Sequence, residues 1–316
     1  MGSKAFSIVV ITRNRLTLLQ RTLPPLVEYV NSKENGEIII VDNASEDGSN
    51  EFMLSMCSRS PRMQVITNIE NVGVARARNI GIRCTNNPIV ISLDDDILIE
   101  SDSLDRAIDA MSLYPRAGII AAVVKEYGLN WLHNGVDIES SDSVIQVANH
   151  CGAFGIFKKS AIMEAGLLDE EGFFGAEERS LAIKVRALGY DVLLVANIIG
   201  YHIDTIDRSR PNIFRYKMRV YNNVRLNFKY FSTLDASVIS LRYLITMLYS
   251  GRKLFPMGTF KMIISFMNGV YCGISTRAQI PVEVQRFYLA KNTQPGFGNT
   301  PLSHRLRQKY GKRSEA

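Results

Sequence analysis

Cysteine is scarce and unpatterned. The 316 residues hold four, Cys57, Cys84, Cys151 and Cys272, with no CxxC or CxxxC spacing among them. That argues against a zinc ribbon or a disulfide framework and makes a reducing compartment the expected setting. No basic segment followed by an apolar core precedes the strand pattern that begins at Ser7, so no secretory signal is expected. Long apolar runs are missing too. The uncharged stretch Met262–Thr276 is 15 residues between Lys261 and Arg277, short of the roughly 20 needed to span a bilayer. An amphipathic helix lying on a surface is the expectation there. Internal repeats and low-complexity segments are absent, and Trp131 is the only tryptophan.

Acid is the other shortage, and it is local. Residues 1–209 carry 19 Lys+Arg against 28 Asp+Glu, a net of −9, whereas residues 210–316 carry 18 against 3 (Asp235, Glu283, Glu315), a net of +15. The total of +6 therefore hides an acidic body and a basic, mainly helical C-terminal region, with a boundary near Asp207–Pro211. Anionic membrane, lipid phosphate or nucleic acid are the partners such a region attracts. No nucleic-acid module accompanies it, so nucleic acid is not the expected partner. A membrane surface is, with self-association through the same region as a further expectation.

Within the body, strand patterns alternate with helix patterns. Ser7–Thr12, Glu37–Val41, Gln64–Thr67 and Ile89–Leu93 are apolar and β-branched, and helical segments follow from Leu16, from about Asp47, after Gly73 and from Leu104. Pro24-Pro25 should interrupt or kink the first helix. This order predicts an α/β fold with a mostly parallel, Rossmann-like sheet and helices on both faces. Right-handed crossovers would bring the four strand ends to one edge. Later strands are expected over Ile119–Lys125, Cys151–Phe157 and Val192–Val195, with a helix from Phe173–Leu181 to Leu188.

The chemistry gathers at those strand ends. Ile89-Val90-Ile91-Ser92-Leu93 runs into Asp94-Asp95-Asp96. Carboxylates about 5 Å apart repel by roughly 3 kcal/mol per pair at an effective dielectric near 20, so a strand end bearing three calls for a cation. Mg²⁺ or Mn²⁺, shared with substrate phosphates, suits it; an acidic turn in water is the alternative. Thr12 and Arg13, Asp42 and Ser45, and Asn71 and Gly73 close the other three strands, and the helix start near Gly73 favours an anion. Glu177-Glu178 opens a helix, where acids complement the dipole or one serves as a general base. His202 follows the last strand, as a structural residue or as a metal ligand. Trp131 either stacks on a sugar face or anchors its loop. Gly152, inside a strand pattern, marks close approach of a ligand or of backbone.

Ser7–Arg15, Val41–Ser45, Asn71–Gly81 and the aspartate run, taken in register, resemble the family 2 glycosyltransferases of GT-A fold over roughly Ser7–His202. The basic C-terminal region is similar to that of bacterial rhamnosyltransferase-like enzymes of cell-surface glycans. The resemblance implies a catalytic domain over 1–209, with a nucleotide-sugar half of about 1–100 and an acceptor half of about 101–209, followed by the 210–316 region. It implies inverting, metal-dependent transfer from a nucleotide sugar to a glycan or lipid-linked acceptor at the cytoplasmic membrane face. Thr12, Arg13, Asp42, Ser45, Arg76, Arg78, Asp94 and Asp95 would bind the donor. Asp96, Asp94 and His202 would face the metal, Mn²⁺ or Mg²⁺, and Trp131 and Gly152 the acceptor. Glu178 would be the base, with Glu177 in reserve. The chain departs from the family in having Glu178 where Asp is usual and Ser180 where a second acid is common. Two other readings stay open: a nucleotidyltransferase, against which stands the lack of a glycine-rich, lysine-bearing loop near Ser7–Arg15, and a non-catalytic glycan- or membrane-binding protein.

Overall fold

A computed structural model describes residues 4–126, 143–172, 175–203, 212–250 and 257–290. It divides into two compact units, Met1–Phe173 with Glu177–Thr205, and Phe174–Ala176 with Ile206–Ala316.

The first unit is built on nine strands. β1 (Phe6–Thr12), β2 (Gly36–Asp42), β3 (Met63–Thr67) and β4 (Ile89–Asp94) form the first half of the sheet in the order β3-β2-β1-β4, all parallel. Beyond β4 the sheet becomes mixed. β8 (Phe154–Lys158) is antiparallel to β4 and to β6 (Ala117–Glu126), which runs parallel to β9 (Asp191–His202). Alternation along the strands sets the two cores. Ile8, Val10, Ile38, Ile40, Ile91 and Leu93 face helices α1 (Leu16–Asn31), α2 (Ser49–Cys57) and α4 (Ser103–Leu113). Val9, Ile39 and Val90 face α3 (Val74–Cys84), α5 (Lys159–Glu164) and α6 (Glu177–Ala187). With both faces covered, continuous apolar runs are what the strands require, and each fully buried Ile, Val or Leu contributes about 1.5–3 kcal/mol.

Strand β8 begins at Phe154, so Gly152 lies in the turn before it and not inside the strand expected over Cys151–Phe157. Two further details differ from the sequence reading. Helix α1 continues through Pro24 and Pro25. The carbonyls that lose their i+4 donors belong to Gln20 and Arg21, which are exposed and open to water, while Leu19, Leu23, Leu26, Val27 and Val30 hold the opposite face in the core. Strand β9 is longer than Val192–Val195 because it changes partners midway. Its pairing with β6 jumps from Ala121↔Leu194 to Val123↔Ile199. The first half pairs β7 (Val144–Gln146), and the second pairs β5 (Ile97–Ile99). Bulges of this kind re-aim side chains beside functional sites. Here the jump sets His202 opposite Ile97, next to the aspartate run.

The second unit contains α7 (Ile213–Tyr230), α8 (Thr233–Ser250), α9 (Met257–Ser275) and α10 (Val282–Leu289). Asn212 caps α7, its Oδ1 accepting from the N–H groups of Phe214 (2.9 Å) and Arg215 (3.3 Å). Among the described residues, no helix is long and apolar enough to cross a membrane.

Candidate functional site

The loops after β1 and β2 are strained and tied to each other. Asn14 and Ala44 have φ of 52° and 62°, a left-handed conformation that non-glycine residues keep only under constraint. The constraint is reciprocal: Asn14 N–H donates to Ser45 Oγ (2.9 Å), Glu46 N–H donates to Asn14 Oδ1 (2.8 Å), and Leu16 N–H donates to Asp47 Oδ2 (3.0 Å). Asp42 is fully buried beneath this pair of loops, accepting from Ser45 N–H (3.1 Å) and Asn50 Nδ2 (2.9 Å). Asn43 then shapes the third loop. Its Oδ1 accepts from Val72 N–H (3.0 Å) and Asn68 Nδ2 (3.1 Å), and its Nδ2 donates to Asn71 Oδ1 (2.8 Å), leading the chain through Gly73 into α3. Arg13 is exposed on the first loop.

The aspartates divide their tasks. Thr12 Oγ1 donates to Asp95 Oδ2 (2.6 Å), and Thr22 Oγ1 donates to the Asp95 carbonyl (2.8 Å), fixing the run against β1 and α1. Asp95 is pushed up to about 7, by burial first; Asp96 and Asp94 add to the rise, while Thr12 and Arg15 oppose it. The end of the strand is thus short of positive charge. Asp96 Oδ2 lies 3.3 Å from His202 Nε2, and Ile203 N–H donates to the Asp96 carbonyl (2.9 Å). Asp94 instead forms an ion pair with Arg78. No cluster of three or more His, Cys, Asp or Glu is placed to hold a metal ion among the described residues. The donors on hand are the Asp96 carboxylate and the His202 imidazole. They fit a hard divalent cation that takes one or two protein ligands and completes its shell with phosphate oxygens and water.

Arg78 joins this edge to α6. It is 2% exposed. Burial alone would lower its pKa, but Asp94, Glu178 and Glu177 outweigh that and hold it charged. Glu178 is raised well above the usual carboxylate range, by burial first and then by Glu177, with Arg78 opposing. Gly152 explains how the carboxyl fits. A Cβ built there would stand 2.1 Å from Glu178 Oε1 and 3.3 Å from Arg78 Nη1, so any larger residue would make the Glu178 side chain move. The neighbouring His150 is buried and Cys151 half-buried, and desolvation holds the thiol up at about 12 and the imidazole down at about 3, so both are neutral. Arg78→Met should cost about 3 kcal/mol, since it leaves buried carboxylates without their cation; the figure is at the low end because the Asp94 side chain keeps 34% of its surface. Urea unfolding at pH 8 and pH 5 checks this. The loss should shrink at the lower pH as Glu178 takes up its proton, and a loss below about 1 kcal/mol would mean that Arg78 is not their counter-ion.

Thr12, Asp94, Asp95, Asp96, Arg78, Gly152, Glu177, Glu178 and His202 all lie in the first unit, linked by the contacts above. Arg76 is exposed, since two helical residues turn it about 200° from Arg78. Trp131 lies outside the described residues. The sequence reading passed over Arg15, whose charge acts on Asp95, although it stands in the same Arg-Asn-Arg tripeptide as Arg13. It also passed over Thr22, whose position inside α1 gave no signal.

Residues 7–159 match the family model described as Glycosyl transferase family 2. The chain carries a family 2 glycosyltransferase domain. Over 106 residues this chain is 26% identical to Glycosyltransferase AglE of Haloferax volcanii, a match that covers 34% of this chain and 35% of that protein. The chain thus spans about a third of that curated relative's length. Among solved structures, GalNAc-T7 with UDP, GalNAc and Mn²⁺ superposes with a TM-score of 0.61 at 14% identity, covering 86% of this chain and 55% of that one. Mannosyltransferase PcManGT from Pyrobaculum calidifontis, in complex with GDP-Man and Mn²⁺, gives 0.57 at 15% identity over 99% and 89%. At these identities the likeness is one of fold, and that fold is GT-A.

Proposed function

We propose that the protein is an inverting, metal-dependent glycosyltransferase moving a hexosyl or deoxyhexosyl unit from a nucleotide sugar to a hydroxyl of a polysaccharide or lipid-linked acceptor. The observation that carries the reading is Arg78, a buried cation spanning from the aspartate run to Glu178. It ties the end that would meet a diphosphate to an acid of raised proton affinity. The neighbours' complexes with UDP or GDP-Man and Mn²⁺ support the donor class and the metal.

In this reading the loops of Thr12, Arg13, Asp42 and Ser45 cradle the nucleoside, with Asp95 fixed by Thr12 toward the ribose. Asp96 and His202 would hold the cation, with Asp94 beside them. When bound, that cation neutralises charge on the departing diphosphate. Glu178 takes the proton of the acceptor hydroxyl as its oxygen bonds to the anomeric carbon. The carbon–phosphate-oxygen bond breaks on the opposite face, and its electron pair leaves with the nucleoside diphosphate. A base whose proton affinity has been raised toward neutrality suits this task. Arg78 opposes the rise and so favours the ionised form that a base needs. Gly152 opens the acceptor side, and the region containing Trp131 would contribute to it. The cation-rich C-terminal region supports an anionic membrane face as the place of work.

Incubation with UDP-, GDP- and dTDP-sugars, Mn²⁺ and glycan or polyprenyl-linked acceptors tests the reading. The expected products are a nucleoside diphosphate and a glycoside of inverted anomeric configuration, read by NMR. Pyrophosphate as the released group would favour a nucleotidyltransferase, and donor binding without transfer to any acceptor would favour a binding protein.

A further inference from the structure

Helix α9 has two working sides. One is the buried row Gly258, Met262, Ser265, Gly269 and Gly273. A Cβ at Gly269 would stand 2.7 Å from the Tyr221 carbonyl oxygen, and one at Gly273 2.5 Å from that of Arg225. This side therefore lies with its backbone against α7. The other side is Met257, Phe260, Ile264, Met267, Tyr271 and Ile274, all large, all apolar or aromatic, and between 43% and 77% exposed. Helix α8 repeats the pattern with Leu234, Val238, Leu241, Ile245 and Tyr249. A helix with one face packed normally turns charge to water on the other. Here α9 has a single charged residue, Lys261, and α8 only Asp235 and Arg242.

We propose that the α9 row is a self-association surface, its occupant the same row of a second copy of this chain. The spacing favours a helix as partner. Steps of three, four, three, four and three residues keep side chains on a narrow seam, the a and d positions of a heptad, and the polar Lys261, Asn268 and Ser275 border it. An interfacial membrane helix places Lys and Arg on its polar face. The face of α9 opposite the seam is instead packed on α7, and α8 and α9 supply only Arg242 and Lys261 of the 18 cations in residues 210–316. The size is sufficient. The aromatic Phe260 and Tyr271 cover roughly 150–250 Å² each, so with the four aliphatic side chains of the row about half exposed and the α8 row beside them the face approaches the ~800 Å² that one partner contributes to a stable interface. A two-fold axis makes such a seam self-complementary. Antiparallel pairing places the two Lys261 residues on the order of 13 Å apart along the axis, whereas parallel pairing sets them side by side. The antiparallel arrangement is therefore the one inferred. This surface is independent of the reaction proposed above.

Light scattering behind size exclusion on the full chain tests it. The expected mass is twice 35.4 kDa, falling to one chain in the double variant Met267→Glu/Tyr271→Glu. Both positions are exposed, so the circular dichroism spectrum and melting curve should be unchanged. As a second measurement, Met267→Cys should give an interchain disulfide under mild oxidation, lost when Tyr271→Glu is added. A monomeric wild type at every accessible concentration, or a double variant that stays dimeric, overturns the proposal. So does a monomeric wild type that floats with phosphatidylcholine–phosphatidylserine vesicles while the double variant does not, since that would make a bilayer the occupant.

Discussion

Glu178→Gln should lower turnover by about 10²-fold or more while leaving donor affinity unchanged. The amide keeps the shape of the side chain in the space left by Gly152 but cannot take up the acceptor's proton. Loss of turnover through unfolding is separable by sign. Glu178 has a folded-state pKa above its ordinary value, so its ionisation works against folding. The stability tied to its protonated form is fully present below the ordinary pKa and is lost as pH rises through the raised one. Glutamine stays neutral, so the variant should be at least as stable as the wild type, increasingly so above neutral pH. The same shift places the acidic limb of the wild-type rate profile higher than an ordinary glutamate would. Glu177→Gln should move that limb to lower pH, because it removes a negative charge that raises Glu178, and should spare more turnover than Glu178→Gln. Equal losses from both variants would return the base assignment to an open contest between them. Full activity of Glu178→Gln would remove the residue from the chemistry.

How far the site was visible in the sequence depends on how far its contacts reach. The four parallel strands were legible because strands buried on both faces must be apolar throughout, and the polar residues ending them mark one edge. Asp94–Asp96 stood out for the same reason, as charge abutting an apolar run. The convergence of Arg78, Gly152 and Glu178 was not legible. Each has a local explanation: a helix cation, a turn glycine and an acid in a helix's first turn. Only the close approach of Glu178 Oε1 to the Gly152 backbone gives the three a joint meaning. Strands β5 and β7, three residues each, exist because β9 offers them an edge, and nothing in their own sequences announces it. His202 was noticed as a residue after a strand. Its place beside Asp96 follows from the switch of β9 from β7 to β5, a register event without a periodic signature. Pro24-Pro25 did not interrupt α1 for a complementary reason: a local rule about helix breaking yields when the freed carbonyls face water and the far side of the helix is held by the core.

Asp96→Ala should abolish metal-dependent turnover without harming the fold. The substitution takes a negative charge from beside Asp95 and also removes the contact with His202, two opposed effects, so the melting temperature of the free protein should change little. A reading independent of activity comes from melting with Mn²⁺, with a nucleoside diphosphate, and with both. A ligand that binds only the folded state stabilises by RT ln(1 + [L]/Kd), about 2.7 kcal/mol at a hundredfold excess over Kd. If cation and diphosphate complete each other's binding, the two together should shift the wild type by more than the sum of their separate shifts. Asp96→Ala should lose that excess while keeping the shift from nucleotide alone, since Thr12, Asp42 and Ser45 lie on other loops. His202→Ala should lose less of it, because an imidazole bordering the site replaces only one donor. EDTA should reduce the wild type to the level of Asp96→Ala. Turnover indifferent to EDTA, or an undiminished joint shift in Asp96→Ala, would take the cation out of the reaction and leave Arg78 and Arg15 as the groups able to meet a diphosphate at this strand end.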